Sequence, residues 1–245
     1  MALNIIILAG GKGTRIKSVL KDTPKIMANI AGKPFLDWVL VWIDSWELEI
    51  PNKILLSTCV GHNIIKDYCE ERNLEVNCIP EKKPLGTFGA LANVASTNIS
   101  NEYLVLNGDT IFKANFKKIY QIFKDNLEKK PLLILKESIE NSRYGGYKQM
   151  DKGWLFAGEN TNFISLGSFF ITYKDLKERW ISSTNLPFVT EQINNINQEL
   201  MVDKHLFSEF PISTEILESN TPFIDIGIPT SLEQAQFYIP KIIQN

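Results

Sequence analysis

The chain reads as an α/β protein, a sheet wrapped by crossover helices, on three observations. Strand-like apolar runs alternate with stretches of helical periodicity, the pattern of strands joined through helices. The first run, Ile5-Ile6-Ile7-Leu8, is short, apolar and rich in β-branched residues, as in a strand buried on both faces of a parallel sheet. Three glycines follow it at once, Gly10, Gly11 and Gly13.

That opening stretch, Leu8-Ala9-Gly10-Gly11-Lys12-Gly13-Thr14-Arg15, reads as a phosphate cradle. Glycines let the backbone adopt φ > 0 and approach a ligand closely, so that successive N–H groups converge on phosphate oxygens. Arg15 offers a planar fork for bidentate phosphate contact, and Lys25, in Thr23-Pro24-Lys25, a compact point charge. Two nucleotide motifs are excluded. A P-loop needs Gly-Lys-Ser/Thr, but Gly13 follows Lys12, and a dinucleotide fingerprint needs a glycine where Ile16 stands.

The next elements follow in order. Residues Phe35 to Trp46 carry apolar side chains at helical spacing, Lys53 to Ser57 read as a strand, and Ile64 to Arg72 as a helix. Trp38, Trp42 and Trp46 recur at i, i+4, which suits either the core or a homodimer seam. Tyr103-Leu104-Val105-Leu106 is a further strand, ending in Asn107-Gly108-Asp109-Thr110. Ligands in open α/β sheets gather at the carboxyl ends of strands, where Asp109 could hold Mg²⁺, a cation that takes one or two protein carboxylates and fills its octahedron with water and phosphate oxygens. Asp225, between Ile224 and Ile226 and before a Gly227-Ile228-Pro229 turn, is a second candidate. Each aspartate alone also reads as a turn residue or helix cap, and spacing does not show that the two meet. The second half, rich in Asn and aromatic residues, divides poorly into elements. No repeat, low-complexity tract or linker interrupts the chain, so one domain over 1–245 is expected.

Composition narrows the function classes. The 245 residues can bury a sizeable core, 44% of them are hydrophobic, and a formal charge of -2 offers no global attraction to nucleic acid or membrane. Anion binding must then be local. Cys59, Cys69 and Cys78 have no C-x-x-C pairing and are odd in number, which points to reduced thiols in the cytoplasm. His62 and His205 have no cysteine or histidine at ligand spacing and read as structural or surface residues. No segment approaches the roughly 18 apolar residues that span a bilayer.

The ordered set of Gly-Gly-x-Gly-Thr-Arg with Pro24-Lys25, Glu81-x-x-Pro84-Leu85-Gly86-Thr87, Asn107-Gly108-Asp109-Thr110, Arg143-Tyr144-Gly145 and Phe223-Ile224-Asp225-Ile226-Gly227-x-Pro229 resembles the sugar-1-phosphate nucleotidyltransferases over nearly the whole chain. Lys17-Ser18-Val19, Asp22-x-Pro24-Lys25-x-Met27-Ala28 and Gly32-Lys33-Pro34-Phe35-Leu36 look most like the D-glycero-D-manno-heptose 1-phosphate guanylyltransferases. The resemblance implies a Rossmann-like, GT-A-like fold with a mostly parallel mixed central sheet flanked by helices. It implies transfer of GMP from GTP to a sugar 1-phosphate for surface polysaccharide synthesis.

By the same resemblance, Arg15 and Lys25 are catalytic, and Leu8, Ala9, Gly10, Gly11, Gly13, Thr14, Asn107 and Gly108 bind the nucleotide. Glu81, Pro84, Leu85, Gly86 and Thr87 border the base, Asp109 and Asp225 share Mg²⁺, and Tyr144, Gly145, Glu159, Ser165 and Gly167 meet the acceptor. The chain departs from the family pattern at Ile26, usually proline, and at Phe88, usually glycine, where added bulk beside the pocket is expected. The lysine usual after Phe-x-Glu is missing at Asn160, and Ser165-Leu166-Gly167 replaces Asn-Gly-Gly. Another base or acceptor, a glycosyltransferase of similar fold and a non-catalytic nucleotide-binding homologue stand as alternatives. The glycosyltransferase would need Asp-x-Asp, and Asn107-Gly108-Asp109 lacks the first aspartate.

Overall fold

The computed structural model describes residues 3–48, 53–126, 128, 130–138, 146–158, 161–208 and 211–244. In chain order the elements are β1 (Leu3–Leu8), α1 (Lys17–Leu20), β2 (Asn29–Ile30), β3 (Lys33–Pro34), α2 (Phe35–Asp44), β4 (Lys53–Thr58), α3 (His62–Glu71), β5 (Val76–Pro80), α4 (Gly86–Thr97), β6 (Glu102–Asn107) and β7 (Thr110–Phe112). There follow α5 (Phe116–Asp125), β8 (Leu132–Glu137), β9 (Gly146–Met150), β10 (Gly153–Gly158), β11 (Phe163–Thr172), α6 (Tyr173–Thr184), α7 (Thr190–Asn195), β12 (Ser213–Leu217), β13 (Phe223–Asp225) and α8 (Pro229–Gln244).

The main sheet runs β10-β9-β11-β6-β1-β4-β5, with β8 also on β11 and β12 on β8. Strands β6, β1, β4 and β5 are mutually parallel, while β11 runs antiparallel to β6 and to β8. The sheet is therefore mixed, with an all-parallel half that carries the N-terminal glycine loop. Strand β1 explains why that half reads as unbroken apolar sequence. Ile5 and Ile7 enter the hydrophobic cluster on one face, and Ile6 enters the cluster on the other, because successive strand side chains point to opposite faces. Each fully buried isoleucine contributes about 1.5–3 kcal/mol relative to exposure.

Helix α2 places its tryptophans in the core. The Trp38 indole donates to the Ile30 carbonyl and the Trp42 indole to the Phe112 carbonyl, both at 2.8 Å. Just beyond α2, Trp46 stacks on Phe116 with ring centroids 3.7 Å apart. All three are buried within the protein, so they do not form a dimer seam.

Helix α4 is buried on nearly every side, which accounts for its apolar and small residues Phe88–Ala95. Phe88 is 0% exposed and meets Trp180 of α6 edge-on at 5.5 Å. The expectation that it crowds the pocket is thereby corrected: on this helix position 88 faces the core, whereas Gly86, Thr87 and Ala90 face the cavity.

Outside the main sheet, β13 pairs antiparallel with β7, with Asp225 opposite Thr110. This short ribbon joins residues more than a hundred positions apart beside the end of β6.

Candidate active site

Strand β1 ends where the chain must leave the sheet, and Ala9 N–H donates to the Ser57 carbonyl of β4 at 2.9 Å. Beyond it the loop opens, with Gly13 at φ 58°, a conformation that glycine adopts without strain. A Cβ on Gly10 would lie 2.4 Å from Glu81 Oε1. The absence of a side chain at Gly10 is what lets Glu81 reach the loop.

Glu81 is 8% exposed. Ser57 Oγ donates to its Oε1 and the Leu85 N–H to its Oε2, each at 3.0 Å. Burial pushes its pKa above the ordinary value, against the opposing pull of those two hydrogen bonds.

Between this loop, the start of α4 and the end of β6 lies a cavity of about 350 Å³. Of the residues expected to bind nucleotide, Leu8, Gly10, Gly11, Gly13, Thr14, Glu81, Pro84, Gly86, Thr87 and Asn107 line it, and so does Asp109. Ala9, Leu85 and Gly108 lie outside the wall and support it. Leu85 is buried, and Gly108 N–H donates to the Leu8 carbonyl at 2.9 Å. Lys12, Ala90, Glu199 and Met201 also line the cavity. The first two stand beside expected positions, but Glu199 and Met201 arrive from a polar stretch with no motif, so no sequence signal could have found them.

On the other side of the 11–13 loop is a second cavity of about 180 Å³, lined in part by Lys12, Lys17, Lys21, Lys25 and Asp22. Lys12 and Lys25 are paired with Glu199 and Asp109, which leaves Lys17 and Lys21 against Asp22, a small positive excess that favours anions. Lys25 Nζ stands 2.9 Å from Asp109 Oδ2. Arg15 belongs to an exposed 3₁₀ turn, Thr14–Ile16, and its side chain lines neither cavity, although its neighbours Thr14 and Lys17 do.

Asp109 and Asp225 are brought to one place by the β7–β13 ribbon. The Ile226 N–H donates to the Asp109 backbone carbonyl at 2.9 Å, and the Gly227 N–H to Asp225 Oδ1 at 2.7 Å. Thr110 Oγ1 donates to Asp109 Oδ1 at 3.0 Å. Asp109 lines the larger cavity, while Asp225, buried and joined to it through the ribbon backbone, lines neither cavity; a carboxylate at the wall with a second one behind it suits a hard divalent cation that takes few protein ligands and keeps sites for water and phosphate oxygens. The two carboxylates would not fit a closed, all-protein metal cage, and among the described residues no three His, Cys, Asp or Glu side chains gather to form one. His62 bonds Thr58 Oγ1 at 2.8 Å and His205 accepts from the Met201 N–H at 2.9 Å, so both have structural roles.

Of the residues expected to meet the acceptor, Tyr144, Gly145 and Glu159 lie outside the described residues, as do Arg143 and Asn160. Ser165 Oγ accepts from the Gly167 N–H at 3.0 Å, at a register break in β11. Gly167 has φ 68°, and a Cβ there would lie 2.1 Å from Asn107 Nδ2. Position 167 therefore sets where the Asn107 amide can stand.

Similarity to known proteins agrees with this architecture. A D-glycero-alpha-D-manno-heptose 1-phosphate guanylyltransferase of Aneurinibacillus thermoaerophilus is 31% identical over 246 residues, covering 96% of this chain and 97% of that protein. One from Campylobacter jejuni is 29% identical over 233 residues, covering 93% and 96%. The crystal structure of HddC from Yersinia pseudotuberculosis superposes with a TM-score of 0.73 at 26% identity, over 96% of this chain and 98% of that one, and HddC has also been crystallised in complex with GMP-PN. Among the described residues no helix is long and apolar enough to cross a membrane. The nucleotidyl transferase family profile matches residues 4–240, from β1 into α8 and through every part of the site, and the chain belongs to that family.

Proposed function

We propose that this protein transfers GMP from GTP to a sugar 1-phosphate, with D-glycero-α-D-manno-heptose 1-phosphate as acceptor, giving the GDP-sugar and pyrophosphate in the cytoplasm for surface polysaccharide synthesis. The observation that carries this reading is the buried Glu81 carboxylate in the wall of the larger cavity. A carboxylate only accepts hydrogen bonds. The N1–H and N2–H groups of guanine would donate to it, whereas adenine would oppose its own N1 acceptor. Leaving a buried carboxylate facing an acceptor costs on the order of 1–3 kcal/mol or more. Two nearly full-length relatives named as heptose 1-phosphate guanylyltransferases favour the same base and acceptor.

In this reading an acceptor phosphate oxygen attacks the α-phosphorus in line. A P–O bond forms, the α–β bridging bond breaks, and pyrophosphate leaves with the electron pair. The acceptor's second pKa is about 6, so the nucleophile is largely ionised at neutral pH and needs no strong general base. The residues act by positioning and by neutralising charge. Backbone N–H groups of the 10–14 loop hold the phosphates, Lys25 meets the α-phosphate and Arg15 the leaving pyrophosphate. Asp109 and Asp225 would hold Mg²⁺, which when bound neutralises charge across the phosphates. Ser165 and Gly167 border the acceptor.

The test is pyrophosphate release from GTP, ATP, CTP, UTP and dTTP with Mg²⁺, each against D-glycero-α-D-manno-heptose 1-phosphate and a panel of other phosphates. Turnover with GTP and the heptose phosphate supports the proposal. Turnover with a different pair retains the chemistry and rejects the assigned substrates. No turnover from protein that still binds triphosphate rejects the catalytic reading.

A further inference from the structure

The segment after α7 crosses the N-terminal end of α4 and is pinned there by backbone. Leu200 N–H donates to the Leu85 carbonyl and the Phe88 N–H to the Leu200 carbonyl, both at 2.8 Å, and the Val202 N–H donates to Thr87 Oγ1 at 2.9 Å. Gly86 makes the crossing possible, because a Cβ there would lie 2.4 Å from the Leu200 carbonyl oxygen. Alternation about the pinned Leu200 sends Glu199 and Met201 to the wall of the larger cavity.

Glu199 Oε1 stands 2.6 Å from Lys12 Nζ, an ion pair that joins the glycine loop to a residue 187 positions away. Lys12 lines both cavities. It therefore sits on the ridge that a chain of phosphates must cross to run from the nucleoside side to the basic side. The two side chains are about half exposed, at 53% and 47%, so the pair is solvated and exchangeable.

We propose that Lys12 is a ligand of the nucleotide's phosphates and that Glu199 is its built-in competitor. In the free protein the carboxylate holds the ammonium group at the cavity mouth. An incoming triphosphate, with more charge and more acceptor oxygens than one carboxylate, takes Lys12 over and releases Glu199. The affinity for triphosphate is then set partly by a residue that never touches it. This inference rests on the larger cavity being the nucleoside triphosphate site, and its experiment separates the two ideas.

Dissociation constants are measured by calorimetry at low and moderate salt for GTP, inorganic triphosphate and guanosine, on wild type, Glu199→Gln, Lys12→Ala and the double variant. An exposed ion pair is worth about 0.2–1 kcal/mol, so Glu199→Gln should tighten GTP and inorganic triphosphate by roughly 1.5- to 5-fold. Guanosine should be unaffected, and the gain should shrink with added salt. Lys12→Ala should weaken both phosphate ligands, and adding Glu199→Gln to it should restore nothing. Weaker GTP binding by Glu199→Gln would make Glu199 a direct ligand and overturn the proposal. An unchanged affinity, or an equal gain with and without Lys12, would overturn it too. If GTP and guanosine fail to bind wild type while inorganic triphosphate binds and follows the expected pattern, the nucleotide assignment falls and the Lys12–Glu199 competition stands.

Discussion

Gly86 is the position where one added methyl group tests how the cavity is built. Its φ is +74°, and a Cβ would lie 2.4, 2.7 and 2.9 Å from three backbone atoms of Leu200. Backbone cannot rotate away as a flexible side chain can, so Gly86→Ala must push the 199–202 segment off α4. The left-handed conformation costs an alanine about 1–2 kcal/mol. Displacing the segment also loses the Phe88 N–H and Leu200 N–H hydrogen bonds, each worth about 1 kcal/mol net. The destabilisation should reach about 3 kcal/mol, a fall in Tm of roughly 6–12 °C for a chain of this size. Because Gly86, Thr87 and Met201 form part of the cavity wall that this shift disrupts, the KM for GTP should rise as well, despite the release of Lys12 from Glu199. Thermal melts and initial rates on Gly86→Ala would check both, with Gly11→Ala as the folding control, since a Cβ at position 11 meets nothing within 4 Å. A Gly86→Ala protein melting within 2 °C of wild type with an unchanged KM would refute the account of the crossing segment.

Lys25→Met should lower kcat/KM by about 10²–10³-fold while the protein stays folded, because Asp109 keeps partial solvent access after losing its partner; pyrophosphate release measures it, and near-native turnover would remove Lys25 from the chemistry. Glu81 should make GTP binding weaken as pH falls through its raised pKa, since protonation removes an acceptor, and Glu81→Gln should abolish that step while narrowing the preference for GTP over ATP. Its effect on stability has the opposite sign: a carboxyl whose folded pKa is raised contributes its stability below the ordinary carboxylate range and loses it as pH rises through the folded value. Glu81→Gln should accordingly melt progressively higher relative to wild type across that window, which melts at a series of pH values would read. Phe88→Ala should cost about 3–5 kcal/mol by leaving a core cavity against Trp180, yet leave nucleotide preference unchanged; altered preference without lost stability would return Phe88 to the pocket.

The glycine loop, Lys25 and Asp109 could be read from the sequence because each depends on a few consecutive residues: a strand, a turn that needs glycine, and a polar side chain where the strand ends; Glu81 was singled out only through the family resemblance. The α/β class was legible for the same reason, since the 2- and 3.6-residue periods are local properties. Other features were decided only by the fold. The meeting of Asp109 with Asp225 depends on the β7–β13 ribbon, and the arrival of Glu199 on Lys12 depends on a segment 187 residues away crossing α4. Phe88 was misread because its direction is set by the rotation of a helix that is covered on nearly every side, so no amphipathic stripe marks which face meets the ligand. The tryptophans of α2 and Trp46 just beyond it carried the converse ambiguity: an apolar stripe shows that a face is covered, and only the packing of Phe112 and Phe116 against Trp42 and Trp46 shows that the same chain covers it. What the sequence determined by itself is local geometry and chemical type; what needed the tertiary structure is every pairing between distant segments, because chain topology, not residue identity, brings such groups within bonding distance.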